Sequence, residues 1–398
     1  MPNNTLEKWE EKTLGEVCTI TAGQSPESQF YNIEGNGLPF YQGKKEFTNK
    51  YIGAPTVWTT KITKEALAGD ILMSVRAPVG PINYATQKCC IGRGLASIRK
   101  SEKISNDFLF YYLLSIQEEI GGHDGAVFNS ISRNEIATLK IKLPPLSEQQ
   151  RIVGILDEAF ENIEKAKQNT LQNLNNAKEL FESYLKKYFE IGNSTWYKYK
   201  LSEITTKIGS GATPLGGKKA YIDSGISLIR SMNVYDREFI YEGLAHINEE
   251  QAKQLNVVTI QEKDVLLNIT GASVARCCVV PSDIIPARVN QHVSIIRPKQ
   301  DIVSSRFLCY LLTSNYYKNK LLKDGEEGGA TRQALTKMGL EQFEVYIPNT
   351  LEEQQKIVEQ LDELQEQTKK LEQIYTQKLQ DLDELKQSIL KKAFNGEL

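Results

Sequence analysis

LPPLSEQQRIVGILDE fills Leu143–Glu158, and IPNTLEEQQKIVEQLDE fills Ile347–Glu363. Each copy opens a long polar stretch with regularly spaced apolar residues. Internal repetition is the first feature to seek, because missing it misreads the whole fold. At a constant offset of 205, Glu148-Gln149-Gln150 falls on Glu353-Gln354-Gln355, Asp157 on Asp362, and Leu185-Lys186-Lys187 on Leu390-Lys391-Lys392. Phe189 falls on Phe394 at the same offset.

Upstream the match is looser but keeps its order. Trp9 and Leu14-Gly15-Glu16-Val17 align with Trp196 and Leu201-Ser202-Glu203-Ile204. Gly69-Asp70-Ile71-Leu72 aligns with Lys263-Asp264-Val265-Leu266, and Phe108-Leu109 with Phe307-Leu308. Gly125-Ala126 aligns with Gly329-Ala330, and Ile131-Ser132-Arg133 with Leu335-Thr336-Lys337. The chain therefore divides into a globular unit at 1–145, a long helix at 146–192, a second globular unit at 193–348 and a second helix at 349–398. The globular halves have diverged while the helices have stayed close, as in one scaffold carrying two different readers.

Within each globular half, GDILMSVRAP, GRGLASIRK and LKIKLP read as short strands. NDFLFYYLLSIQ and SSRFLCYLLTS read as helices, each with a polar residue at its start. The pattern is α+β, a mixed sheet with small helices and no βαβ alternation. The two long helices carry apolar residues at steps of three and four. These run through Ile152, Leu156, Ile163, Phe181, Tyr184 and Tyr188 in one, and through Leu361, Leu371, Leu382, Leu385 and Ile389 in the other, where Lys378 occupies a position of the same stripe. Such a stripe needs a partner. The expected partner is the other copy, antiparallel, in an internal pseudo-twofold coiled coil. The alternatives are packing on the helix's own globular half or a homodimer. At the helix starts, Ser147 and Thr350 are candidate caps, and Glu148 and Glu353 suit the first turn. Capping does not account for the paired glutamines, which read as a contact to something outside the helix.

The bulk numbers fit a multidomain globular protein. The chain has 398 residues, is 40% hydrophobic and 25% charged, and has net charge −2. That charge averages unlike parts. Residues 146–190 carry 8 acids and 6 bases, and residues 351–398 carry 11 and 7. Taking them from totals of 50 acids and 48 bases leaves 31 and 35, so the globular remainder is mildly basic. A local basic face matters more for nucleic acid than the overall charge. The N-terminal MPNNTLEKWEEK has no signal-peptide apolar core, and no apolar run reaches the eighteen or so residues of a membrane span. A cytoplasmic protein is expected.

Recognisable chemistry is missing. The six cysteines make no C-x-x-C and read as free, partly buried thiols. The three histidines lack metal-ligand spacing. GGKKA at Gly216–Ala220 lacks the spacing and hydroxyl of a phosphate loop. GSGATP at Gly209–Pro214 reads as a surface turn, and LPPL lacks the Asn and the ring of an amino-methyltransferase motif. The expectation is a binding protein with no catalytic residue and no metal.

LPPLSEQQRIVGILDEAF, its copy IPNTLEEQQKIVEQLDE and the ending LKKAFNGEL strongly resemble the specificity (S) subunit of type I restriction–modification systems. SVRAPVG at Ser74–Gly80 and GATRQALT at Gly329–Thr336 are similar to stretches of its target-recognition domains. The resemblance covers the full chain. It implies two target-recognition domains, each reading one half of a bipartite double-stranded DNA site, held apart by an antiparallel coiled coil. It implies docking of two methyltransferase (M) subunits that methylate adenine with S-adenosylmethionine. It also implies restriction (R) subunits that use ATP and Mg, and no cofactor in this chain. A pseudo-symmetric two-headed reader suits half-sites about one DNA turn apart.

Candidate DNA contacts are polar and basic loop residues. In the first half these are Tyr41, Gln42, Lys44, Lys45, Arg76 and Arg93; in the second, Arg230, Asn233, Arg237, Gln291, Arg332 and Gln333. Arg and Lys can fork to guanine and Asn or Gln to adenine, while other lysines meet only phosphate. AVFNSIS in the first half stands where the second has ATRQALT, so Phe128 cannot repeat Arg332. Glu148, Gln149, Gln150, Glu353, Gln354 and Gln355 are the expected docking contacts for partner subunits. The alternative function is a coiled-coil interaction scaffold whose heads bind protein and read no DNA.

Overall fold

The computed structural model describes residues 9–121, 130–189, 196–214, 217, 221–327 and 334–398. The chain forms two compact units. One holds Met1–Leu171 with Gln377–Leu398, and the other holds Gln172–Thr376. Both are mixed sheets with small helices, backed by segments of two long helices, Leu146–Phe189 and Leu351–Asn395.

The first unit opens with Glu10–Thr13 paired antiparallel to Lys140–Leu143, which closes the head just before the first long helix. A four-stranded antiparallel sheet follows in the order Cys18–Ala22, Leu95–Lys100, Ile71–Ser74, Ile82–Tyr84. A second, five-stranded sheet contains Leu38–Tyr41 parallel to Cys89–Ile91. The second unit repeats this plan. Tyr197–Lys200 pairs with Glu344–Ile347, the four-stranded sheet runs Thr205–Ser210, Val293–Pro298, Val265–Asn268, Cys277–Val279, and Ile226–Ile229 runs parallel to Ala287–Val289.

Equivalent side chains fix equivalent turns. Asp70 takes a two-pronged contact from Arg99 at 2.8 and 2.8 Å, and Asp264 takes one from Arg297 at 2.7 and 2.8 Å. Each carboxylate also accepts a backbone N–H, from Leu67 at 2.8 Å or from Gln261 at 2.7 Å. The residue before each aspartate has positive φ, 86° at Gly69 and 66° at Lys263. The second unit therefore holds a lysine in a backbone region that favours glycine.

Helix Asn106–Ser115 is capped by Ser105 Oγ, which accepts from Phe108 N at 3.2 Å; Ser304 Oγ does the same for Phe307 N at 3.2 Å in Ser305–Thr313. Both helices are apolar nearly all round, as an enclosed helix must be. Phe108–Leu113 are buried between the sheet and the long helices. The first unit's core runs on through Ile152, Leu156, Leu390 and Ala393, and the second unit's through Phe181, Leu185, Ile357 and Leu361. Each head is thus fused to its helix pair by one continuous apolar core.

In each unit the helix segments are antiparallel. Arg151 donates to the Leu398 carbonyl at 2.8 Å, Lys386 lies 5.0 Å from the Phe160 ring, and Lys167 pairs with Asp383. As one index climbs from 151 to 167, its partner falls from 398 to 383. In the second unit Tyr188 donates to Gln360. The stripes differ from the expected ones at one end of each helix. Tyr184 and Leu385 are exposed, and Leu185 and Leu390 are fully buried in their place. The cause is the pitch: a strict 3.5-residue step drifts on a straight helix of 3.6 residues per turn, and an extra step of four restores the seam.

Thr350 caps the second helix, accepting from Glu353 N at 3.3 Å, while Ser147 lies inside the first. The capping position there is Pro145, whose carbonyl accepts from Glu148 N and Gln149 N. All six cysteines are free and buried. Among the described residues no helix is long and apolar enough to cross a membrane, and no group of His, Cys, Asp or Glu could hold a metal ion.

Candidate nucleic-acid interface

The glutamines at the start of each long helix answer a structural need. Gln149 is 0% exposed. Its Oε1 accepts from Ser105 N at 2.8 Å, and its Nε2 donates to the carbonyls of Pro144 at 2.9 Å and Lys103 at 3.2 Å. Gln354 repeats this with Ser304 N at 3.0 Å, Ile302 O at 2.8 Å and Pro348 O at 3.4 Å. The contact outside the helix is therefore the chain's own loop, and neither glutamine is accessible to a partner. Glu148 is paired with Arg151 at 2.7 Å, which holds its carboxyl below the usual range. Glu353 accepts from Trp196 Nε1 at 3.2 Å. Gln150 and Gln355 are exposed, with Gln355 reaching Glu359 one turn on.

Several expected DNA contacts are also structural. Tyr41 is 1% exposed and its hydroxyl donates to the Gly53 carbonyl at 3.0 Å. Burial pushes its phenol up to about 12. Asn233 is 0% exposed: its Oδ1 accepts from Arg230 N at 3.1 Å and its Nδ2 donates to Ile240 O at 2.9 Å. Arg237 reaches Glu182 at 3.4 Å and lies 4.8 Å from the Phe181 ring, which straps the loop to the first long helix. Arg230 is half-buried, donating to the Gly243 carbonyl and lying 5.4 Å from the Tyr221 ring. Asn233 and Arg230 are engaged by the turn that follows them, Tyr41 by the Gly53 loop and Arg237 by the long helix, so their polar groups are already committed within the unit. Arg332 and Gln333 lie outside the described residues, as do Phe128, Lys218 and Lys219.

The remaining candidates converge on one edge. In the first unit the turn Gly92-Arg93-Gly94 leaves the parallel strand and enters the central one. Gly92 N donates to Tyr41 O at 2.8 Å, Gly94 N to Gln42 O at 3.1 Å, and Val75 N to Gly94 O at 3.0 Å. These bonds bring Gln42, Arg93 and Arg76 to the same rim, all three exposed. A Cβ on Gly94 would sit 2.4 Å from the Gln42 carbonyl, so glycine lets the turn lie flat against that strand. Ser25 Oγ accepts from Arg93 N at 3.3 Å. Ile131 N donates to Val75 O at 3.1 Å, and the backbone of Arg76 bridges Ser130. Lys44 and Lys45 are exposed two and three residues beyond Gln42.

The second unit repeats three of these backbone bonds, while His292 N, at the place of Gly94 N, turns to its neighbour Asn290 Oδ1 in place of the strand. Asn290 N donates to Ile229 O at 3.0 Å, Ile269 N to His292 O at 3.0 Å and Leu335 N to Ile269 O at 2.8 Å. Asn290-Gln291-His292 thus stands where the first unit has Gly92-Arg93-Gly94, and Thr270, bridged to Ala334, stands where it has Arg76. The side chains form a relay. Thr213 donates to Gln291 Oε1, Gln291 Nε2 lies 3.2 Å from His292 Nε2, and His292 Nδ1 lies 2.6 Å from Thr270 Oγ1. Asn290 is buried and its Oδ1 accepts from His292 N at 3.0 Å, so it shapes the turn. Thr213 and Thr270 were not picked out in the sequence. Aligning Gly23 with Gly211 would have found the first, since each directly follows the matching edge strand, Cys18–Ala22 or Thr205–Ser210.

The two units thus share a backbone frame and differ in the polar groups exposed on it. The type I restriction modification DNA specificity domain matches residues 6–173 and again 193–380, and the chain belongs to that family. It is 45% identical over 179 residues to a putative type I restriction enzyme MjaX specificity subunit of Methanocaldococcus jannaschii, covering 44% of this chain and 41% of that one. It is 24% identical over 422 residues to the type I restriction enzyme EcoBI specificity subunit of Escherichia coli, covering 98% and 86%. A chain from a solved structure of type I R-M complex assembly and conformational transition shares the fold, with TM-score 0.79, 22% identity and full coverage of both chains.

Proposed function

We propose that this chain is the non-catalytic sequence reader of a type I restriction–modification complex, working on cytoplasmic DNA. Each unit reads one half of a bipartite site. Its rim carries the base contacts, Gln42, Arg76 and Arg93 in one unit and Gln291 with its relay in the other. The observation that carries this reading is the rim itself: equivalent backbone hydrogen bonds in both units present unlike polar side chains. A constant frame with variable exposed groups suits reading two different sequences. The long helices, each passing from one unit into the other, set the unread spacer. Methyltransferase subunits, which modify adenine with S-adenosylmethionine, dock on surfaces that include the exposed Gln150 and Gln355. ATP- and Mg-dependent restriction subunits complete the complex.

The test is methylation sequencing of cells carrying this chain with its methyltransferase subunit. A bipartite motif with two unlike halves and a fixed spacer is expected. Assembly with methyltransferase but no sequence preference would favour an interaction scaffold instead. Methyl transfer by the purified chain alone would sink the non-catalytic reading.

A further inference from the structure

We infer that the two equivalent turns read different purines, Arg93 a guanine in one half-site and Gln291 an adenine in the other. The inference rests on the proposed reading of bipartite DNA and adds the base chemistry of each half. The equivalence comes from the shared hydrogen-bond frame, which places Arg93 and Gln291 at the centre of the same three-residue turn. Both side chains are exposed.

The major-groove edge of guanine offers two acceptors, O6 and N7; that of adenine offers a donor at N6 and an acceptor at N7. A guanidinium has only donors and forks onto guanine. The flanking glycines of Arg93 add no side chains of their own, and Ser25 Oγ meets only its backbone N–H, which leaves the exposed guanidinium to reach outward. Arg76, the neighbouring exposed cation on the rim, adds further donors.

Gln291 is held differently. Its carboxamide lies between Thr213 on the oxygen side and His292 on the nitrogen side, and His292 is steadied by Thr270. When the amide donates into His292 Nε2, the ring proton sits on Nδ1 and goes to Thr270 Oγ1. One lone pair of Oε1 and one N–H of Nε2 remain. That pair is the complement of adenine N6 and N7. Presented to guanine, the same oxygen would face O6, acceptor against acceptor. Turning the amide over exchanges the partners and still leaves one donor and one acceptor, so the preference does not depend on which way the amide is placed.

The experiment selects bound duplexes from a randomised pool, using the full-length chain in the complex it forms in the cell, with Arg93→Ala, Gln291→Ala and Gln291→Glu beside the unaltered protein. One guanine position should lose about 5- to 150-fold discrimination in Arg93→Ala. One adenine position in the other half should do so in Gln291→Ala. In Gln291→Glu, which has acceptors only, that position should move toward cytosine, whose N4 is a donor. The untouched half-site in each variant reports that the protein is folded. Uniform weakening on all sequences would make both residues phosphate contacts and overturn the inference. So would a bipartite motif whose guanine and adenine positions ignore these variants. Absence of any bipartite preference in the unaltered protein would instead refute the reading on which the inference rests.

Discussion

Replacing Gln149 by Ala should destabilise the first unit without touching a partner-binding surface. The side chain is 0% exposed and makes three hydrogen bonds to backbone: Ser105 N, Pro144 O and Lys103 O. Truncation orphans one N–H and two carbonyls in a site sealed by the helix start. Leaving a buried polar group unpaired costs about 1–3 kcal/mol. The N–H has no second option, since Ser105 is the cap residue of Asn106–Ser115 and its own side chain is committed to Phe108 N. The carbonyls suffer less, because helix backbone and water relax toward them. A total of about 2–5 kcal/mol follows. Gln354→Ala should cost a similar amount in the second unit, where Ser304 N and Ile302 O lose their partners. Guanidinium unfolding followed by hydrogen exchange at Ser105 and Ser304 separates the two. Each variant should expose its own cap amide first and leave the other protected. Unchanged stability together with loss of methyltransferase binding would refute the argument and restore these glutamines as docking residues.

Three further outcomes follow from the same contacts. Asp264→Ala strips a fully buried carboxylate from Arg297 and should cost about 3–5 kcal/mol by denaturant unfolding, with the Gln261–Asp264 turn loosened. Arg237→Ala removes an ion pair at 3.4 Å and a ring contact at 4.8 Å, so stability should fall by about 1–2 kcal/mol while DNA sequence preference is unaltered in binding assays. Four residues added near Thr170 and four near Tyr375 lengthen each helix by roughly 6 Å. Under the proposed reading the methylated motif should gain about one or two unread base pairs with both half-sites unchanged, and an active variant keeping the original spacer would refute the ruler.

The parts of the fold that were legible in the sequence are those with local causes. Steps of three and four in a 44-residue stretch mean a helix with one buried face, and an order-preserving repeat means two similar heads. Strands such as Tyr31–Asn32 and Glu65–Ala66 are two residues long and carry no period to detect. Exposure of the candidate site residues was legible only in part, for the same reason. Gln42, Arg76, Arg93 and Gln291 lie on turns between strands, where polar residues are exposed by default. Tyr41 is next to Gln42 in sequence yet is buried, because it is the last residue of a strand covered on both faces, with Phe40 and Tyr41 both inside, while Gln42 begins the exposed turn. Arg237 is closed over by a helix more than fifty residues upstream, which no local pattern announces. The repeated glutamines carry the sharper lesson. Their recurrence at a fixed offset was a true signal of function under constraint, and the constraint is geometric: a loop that ends in a helix cap needs its amide and carbonyls satisfied where the next helix begins. One side chain that both donates and accepts, placed in the first turn, does this in each unit. The residues kept alike between the two halves therefore hold each head to its helix. The residues that differ, Arg93 against Gln291 and Arg76 against Thr270, occupy the rim that such a frame leaves free to vary.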